Sequence, residues 1–411
     1  MKRSILMTVG AAALALSAQA ALAAGDLVIS ANTSDAAPRA AFEAVVDKFK
    51  AANPDINVQF NVIEHEAYKT AIRNFLVADE GPDVGFWFAG NRMAGFVEDG
   101  LFADISDVWA DNGLASTMAS TMPSITFGGK QYGLPYSYYQ WGVYYRSDVF
   151  EANGIAVPNT FDELLGACQT LKGAGIAPVT IGTKFLWTAA GWFDYLNMRT
   201  NGLAFHIDLM LGKVKYNDDR VKATMANWRK ALDAGCFIEN HQNYSWQEAQ
   251  PPLINGDAAM YLMGNFLIPN LPEDTRANMS FFQFPDIKPG MERGEDAPTD
   301  LVFVPANAQN KDNAKKFLAF LATAENMTSI NAALQQLPPH SDAKPLDDPF
   351  LNAGAAMLSK SKTAQFYDRD TTPEMAKVGM QGFQDFMLNP DDVDEILDEL
   401  EEERARIFGA L

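Results

Sequence analysis

Positive charge, cysteine and histidine are all scarce in this 411-residue chain, and each shortage excludes something. Thirty-two Lys and Arg stand against 52 Asp and Glu, a formal net charge of −20. A surface that binds phosphate backbones draws its affinity from clustered Lys and Arg, so nucleic acid is excluded as a partner. The two cysteines, Cys168 and Cys236, cannot staple a chain of this size, and its stability must come from apolar cores. They read as two separate buried thiols. The four histidines, His65, His206, His241 and His340, lie far apart with no Cys partner at ligand spacing, so no metal and no cofactor is expected. A G-x-x-x-x-G-K-[ST] phosphate loop and a G-x-S-x-G nucleophile turn are missing as well. Only paired carboxylates of a glycosidase escape such a search, because spatial separation and not sequence spacing defines them.

Long apolar runs are also missing, apart from one at the N-terminus. Met1-Lys2-Arg3 precedes a nearly unbroken apolar stretch from Ile5 to Leu16, too short to span a hydrocarbon core of about 30 Å. With Ala21-Leu22-Ala23 behind it, the segment reads as a secretory signal, residues 1–23, cleaved after Ala23 or alternatively after Ala20. No Cys lies near that site to carry a lipid. The mature protein is therefore expected free in an exported compartment and not inserted in a membrane. Export permits a Cys168–Cys236 disulfide, which sequence alone does not establish.

What is present is an ordinary globular composition, 48% hydrophobic and 20% charged, in a length that suggests two domains or more. Leu27–Ser30 is β-prone, Ala41, Val45, Val46 and Phe49 fall at helical spacing, and Ile56, Val58, Phe60 and Val62 alternate as a second strand. This β-α-β unit repeats through a helix at Tyr68–Val77 and a strand at Asp83–Phe88, the pattern of an α/β sheet covered by helices. Further along, Thr160 and Glu163 form a capping box for a helix to Leu171, and Val179–Gly182 reads as a short strand. Residues 258–263, 281–284 and 301–304 read as strands, 286–299 as a loop or crossing, 311–334 as a helix pair and 391–406 as an acidic helix.

Between Tyr132 and Tyr145 seven of fourteen residues are aromatic, and six of the chain's 12 tyrosines fall there. Aromatic rings beside amides and carboxylates are what a neutral polyol needs: C–H faces stack on rings, and hydroxyls need donors and acceptors. Trp87, Trp141, Trp187, Trp192 and Trp246 all stand near such polar residues. Since most rings are core, position decides among them. Trp87 and Asn91 follow the end of a predicted strand, where open α/β sheets bind ligands, and Trp187 follows another.

Gly81-Pro82-Asp83-Val84, Gly133-Leu134-Pro135 leading to Tyr144-Tyr145-Arg146-Ser147-Asp148-Val149-Phe150, and Pro158-Asn159-Thr160-Phe161-Asp162-Glu163-Leu164 come in a telling order. Gly256-Asp257-Ala258-Ala259-Met260, Gly264-Asn265-Phe266 and Phe303-Val304-Pro305 follow. In this order the chain resembles the extracellular solute-binding proteins of carbohydrate ABC transporters, the family of maltose-binding protein. It departs at Tyr145-Arg146-Ser147-Asp148, where Tyr-Asn-Lys-Asp is usual, and at Gly264-Asn265-Phe266, where Gly-x-Trp is usual. The second change puts a stacking platform at Phe266 in doubt and directs attention to Asn265 as a hydroxyl partner.

The resemblance implies an α/β, two-lobed periplasmic-binding-protein fold with the ligand cleft between two domains joined by a multi-crossing hinge. The lobes are expected at 24–137 plus 300–338 and at 138–299 plus 339–411. Crossings fall near Tyr136–Trp141, Pro298–Leu301 and Leu337–Ser341. The expected ligand-binding residues are Asp35, Trp87, Asn91, Tyr139, Trp141, Trp187, Trp192, Trp246, Asn265 and Asp300. The implied function is a periplasmic monomer that captures a mono- or oligosaccharide and delivers it to ABC transporter permease subunits, without enzymatic turnover. The alternatives are an exported glycosidase or lyase and a polyamine or amino-acid receptor.

Overall fold

A computed structural model describes residues 26–411; the expected signal segment lies outside the described residues. The first sheet has five strands in the order Asn57–Val62, Asp26–Ala31, Val84–Phe88, Thr299–Phe303, Leu134–Tyr138. Its first three strands are parallel, as β-α-β crossovers require, with Ile29 opposite both Phe60 and Val84. Thr299–Phe303 enters antiparallel from far along the chain and sets Asp300 beside Phe88. The helix Ala36–Ala52 buries Phe42, Val45, Val46 and Phe49 against this sheet and against Phe317 of the helix Lys311–Leu321.

The second sheet is Met279–Phe282, Trp141–Arg146, Ala258–Gly264 and Ala177–Val179. Around it a second core collects Trp192, Phe193, Tyr195, Trp228, Phe383 and their neighbours. The helix Phe161–Gly173 begins with the anticipated capping box, Thr160 accepting from the Glu163 amide at 3.3 Å while Glu163 accepts from the Thr160 amide at 3.1 Å. The strand expected at Val179–Gly182 instead occupies Ala177–Val179. Its ladder pairs Ala177 with Ala258 and Val179 with Met260, after which Thr180 turns its hydroxyl to the Ala249 carbonyl at 2.7 Å. Within the expected loop 286–299, Gly294–Asp296 pairs in parallel with Lys362–Ala364, a long-range partner no local pattern could announce.

The chain passes between the two sheets from Tyr138 to Trp141 and again from Asp296 to Thr299. It leaves the first core after Ala343 and enters the second at Phe350. Just before this last passage Leu337 pairs with Tyr138, at the start of the first crossing. The expectation of two free thiols is corrected: Cys168 and Cys236 form a disulfide, their Cα atoms 5.1 Å apart. The helix bearing Cys168 packs beside the strand whose Val179 amide bonds the Cys236 carbonyl at 2.8 Å, so tertiary packing brings the sulfurs together. Among the described residues no helix is long and apolar enough to cross a membrane.

Candidate functional site

A cavity of about 140 Å³ lies between the two sheets and their crossings. One wall comes from the ends of the parallel strands: Thr33, Ser34 and Asp35 after the first, and Phe88 at the end of the third. This is the carboxyl edge where such sheets bind ligands. The opposite wall is aromatic. Phe266 sits edge-on to Tyr139 at 5.3 Å, Trp141 at 6.1 Å, Trp187 at 6.3 Å and Trp246 at 5.2 Å between ring centroids. Trp141 also packs on Phe366 at 4.6 Å. Gly264 makes this clustering possible, because a Cβ there would lie 2.5 Å from the Phe266 ring and 3.0 Å from Trp141 Nε1.

Trp187 is placed by unusual backbone. Leu186 has φ 69° and ψ −43°, and the Trp187 amide bonds the Phe185 carbonyl two residues back at 2.8 Å. This is a γ-turn of the strained, positive-φ kind, and strain of this sort gathers where a side chain must be aimed. The turn launches the helix Trp187–Asn201 with its first ring on the cavity wall.

Polar groups surround the rings. Arg369 donates to Asp300 at 3.0 Å, to the Thr299 carbonyl at 3.2 Å and to the Tyr139 hydroxyl at 3.0 Å, and its guanidinium lies 4.3 Å from the Phe88 ring centre. Burial pushes the Asp300 carboxyl up despite the pull of Arg369, and it pushes Asp35 up although Gln247 donates to it at 3.3 Å. Burial drives His65 down to about 3, so its imidazole is neutral. Thr33 Oγ1, Trp141 Nε1 and Gln336 Oε1 are buried on wall residues and have no hydrogen-bond partner among the described residues. Buried polar atoms ordinarily have partners, so acceptors and donors stand here for a ligand to satisfy.

Asp35, Tyr139, Trp141, Trp187, Trp246 and Asp300, distant in sequence, meet on the cavity wall. Four expected residues do not, and their places correct the expectation. Trp87 lies on the other face of its strand from Phe88, buried against Tyr68 and Phe96; side chains alternate, so the reading was off by one residue. Asn91 donates its amide to the Asp370 carbonyl at 2.7 Å. Trp192 is five residues beyond Trp187, about 140° around the helix, and packs edge-on into Phe237 and Phe284 in the core. Asn265 accepts from the Tyr144 hydroxyl at 2.7 Å and donates to the Gln335 carbonyl at 2.5 Å, tying the chain just before the last crossing to the second sheet. Phe266, doubted as a platform, is on the wall instead.

Among the wall residues missed are Thr33, His65, Lys69, Phe88, Gln336, Phe366, Asp368 and Arg369. The strand-end rule that singled out Trp87 would have found Thr33 and Phe88. Nothing local marks Gln336, just before the last crossing, or Phe366 and Arg369, which arrive after it.

Behind the wall lies a group of buried carboxylates. Asp370 is pushed up to about 6, chiefly by burial; it accepts from the Gln365 amide and faces Arg369, Asp368 and Asp296. Asp194 is pushed up by burial and by Asp296, and Asp296 by burial and by Asp370 and Glu295. A carboxyl whose folded pKa is raised adds stability below its unfolded value, near 3.8, and loses it as pH rises through the folded value. Thermal stability measured from pH 4 to 7 is therefore expected to fall more steeply in the wild type than in Asp370→Asn. Parallel curves for the two proteins would refute the assignment.

Two α/β lobes, joined by repeated crossings with a ring-lined cavity between them, define a receptor that encloses a small solute. Residues 32–328 match the family of bacterial extracellular solute-binding proteins, and the chain belongs to it. It is 25% identical over 339 residues to an ABC transporter extracellular-binding protein of Pyrococcus horikoshii, covering 79% of this chain and 74% of that one. With the multiple sugar-binding protein of Streptococcus mutans it shares 22% identity over 295 residues, 70% of this chain and 69% of the other. The structure of the bacterial solute receptor AcbH, described as exclusive for β-D-galactopyranose, superposes with a TM-score of 0.88 at 28% identity, covering 94% of this chain and all of that one. A chitin oligosaccharide binding protein shares the fold, with a TM-score of 0.85 at 20% identity over 94% of this chain and 99% of its own. The chain is thus a solute-binding protein of the ABC-transporter type and not an enzyme.

Proposed function

We infer that this protein is the periplasmic capture receptor of a carbohydrate importer, exported by a cleaved signal peptide and working as a monomer. The observation that carries the reading is the cavity itself: an aromatic wall that includes the unpartnered Trp141 Nε1, together with unpartnered Thr33 and Gln336 atoms and the Arg369-held Asp300. That combination suits a neutral polyol better than a cation. The AcbH likeness favours a pyranose. Asp35, Tyr139, Trp141, Trp187, Trp246 and Asp300 are assigned to the ligand, and Trp87, Asn91, Trp192 and Asn265 support them from behind. Residues 24–137 plus 300–338 make one lobe and 138–299 plus 339–411 the other. Binding selects the closed state of these lobes, which the permease subunits then read across both lobes.

The test is a thermal-shift screen of refolded residues 24–411 against mono-, di- and trisaccharides, amino acids and polyamines, since ligand binding raises the midpoint by mass action. A shift with D-galactose or another hexose is expected. A shift with polyamines alone would overturn the sugar reading, and turnover of an oligosaccharide to products would restore the glycosidase alternative. For the sugar that binds, Trp187→Ala is expected to weaken affinity by roughly 30-fold or more, as truncating a central aromatic anchor costs at least about 2 kcal/mol. Calorimetric titration reads this, and unchanged affinity would remove Trp187 from the site.

A further inference from the structure

The segment Gln365–Asp370 belongs to the second lobe but reaches across to the first. Its root is in the second core: the Tyr367 amide donates to Asp194 at 2.8 Å, and the Tyr367 and Tyr216 hydroxyls meet at 2.6 Å. Its tip touches the first lobe at several points. Asp368 pairs with Arg92, the second residue of the helix Asn91–Glu98. Asn91 donates to the Asp370 carbonyl, and the Arg369 carbonyl comes so close to Gly90 that a Cβ there would lie 2.8 Å away. Arg92 is held in place from its own side, its guanidinium 5.1 Å from the Trp87 ring centre and 5.2 Å from that of Phe88.

The charges on the two sides are complementary. Asp368 is the acidic group of the tip, and it faces Arg92, Lys69 and the neutral His65 of the first lobe as well as Arg369 of its own segment. Those basic groups hold its carboxyl below the usual carboxylate range in spite of burial. Arg92 is not on the cavity wall, whereas Asp368 and Arg369 are.

We propose that Arg92 and Asp368 form a latch between the lobes, a positioning pair that sets how far the receptor closes and how long it stays closed. The inference rests on the two-lobed capture reading and adds to it a determinant that Arg92 exerts without touching the ligand. The two side chains come from different lobes, so their contact bridges the gap that opening of the lobes would widen. An ion pair of this kind adds little net stability, since each charge is solvated once the lobes part, but it does specify one closed orientation. The same segment carries Phe366 and Arg369 to the cavity, so the latch and the ligand wall move together. Affinity then scales with the fraction of molecules able to close.

The test compares wild type, Arg92→Met, Arg92→Lys and Asp368→Asn, all as full mature chains. Two quantities are measured: the scattering radius of refolded ligand-free protein, and the rate of D-galactose release followed by tryptophan emission. Arg92→Met is expected to enlarge the ligand-free radius and to quicken release by roughly 30-fold, because losing one partner of a buried charged pair acts mainly on dissociation. Arg92→Lys keeps the charge and should stay near wild type in both, a rescue that a role in packing alone would not give. The latch is overturned if Arg92→Met leaves radius and release unchanged, or if Arg92→Lys loses as much as Arg92→Met. Should the wild type not bind D-galactose at all, the ligand assignment fails separately, and the ligand-free radii still decide the latch.

Discussion

Replacing Arg369 with Met is expected to destabilise the protein by about 3–5 kcal/mol, the usual cost of removing one partner of a buried ion pair. Methionine keeps most of the volume, so the loss comes from charge. Arg369 is the donor that connects Tyr139 at the first crossing with Thr299 and Asp300 at the second, all of them buried or nearly so. Without it, Asp300 keeps a carboxylate that burial already disfavours, and its proton affinity must rise further. The double variant Arg369→Met with Asp300→Asn removes the stranded charge and is expected to recover a large part of the stability. A double-mutant cycle by urea unfolding reads the coupling. Sugar binding should not recover, because the charged, Arg369-held acceptor pair on the cavity wall becomes an amide with one acceptor and one donor and nothing to orient it. Additive losses from the two single changes would show that Arg369 and Asp300 do not act as a pair.

Reducing Cys168–Cys236 is expected to cost roughly 4 kcal/mol in the second lobe, since the bond closes a long loop, 68 residues in sequence separation. That loop contains the helix Trp187–Asn201, and with it the γ-turn that aims Trp187. Both cysteines are fully buried, so the native bond should resist mild reductant and break only on opening. The variant Cys168→Ser with Cys236→Ser avoids the reductant. Its unfolding midpoint, followed through the emission of Trp192 and Trp228 in that core, is expected to drop while that of the first lobe holds. Binding at low temperature should survive, because the folded geometry of the wall does not include the sulfurs. An unmoved midpoint would mean that the crosslink restrains the unfolded chain far less than its length implies.

Where the chemistry of a position is local, the amino-acid pattern determined it. Alternation marked the strand Asn57–Val62, helical spacing marked the Ala36–Ala52 core face, and Thr160 with Glu163 marked a helix start that carries both capping bonds. The absence of catalytic motifs and the aromatic density around Tyr139 and Trp141 are likewise properties of neighbouring residues. The two-lobed class was legible too, through an ordered set of short motifs. Tertiary structure decided what depends on distance. It chose Phe88 over Trp87, because one residue of register reverses a strand's faces. It joined Cys168 to Cys236, gave Asn265 to the hinge, and put Phe366, Asp368 and Arg369 on the cavity from a segment more than two hundred residues beyond Tyr139. Those residues have no signature of their own, since what makes them matter is a partner that only the crossing chain brings within reach.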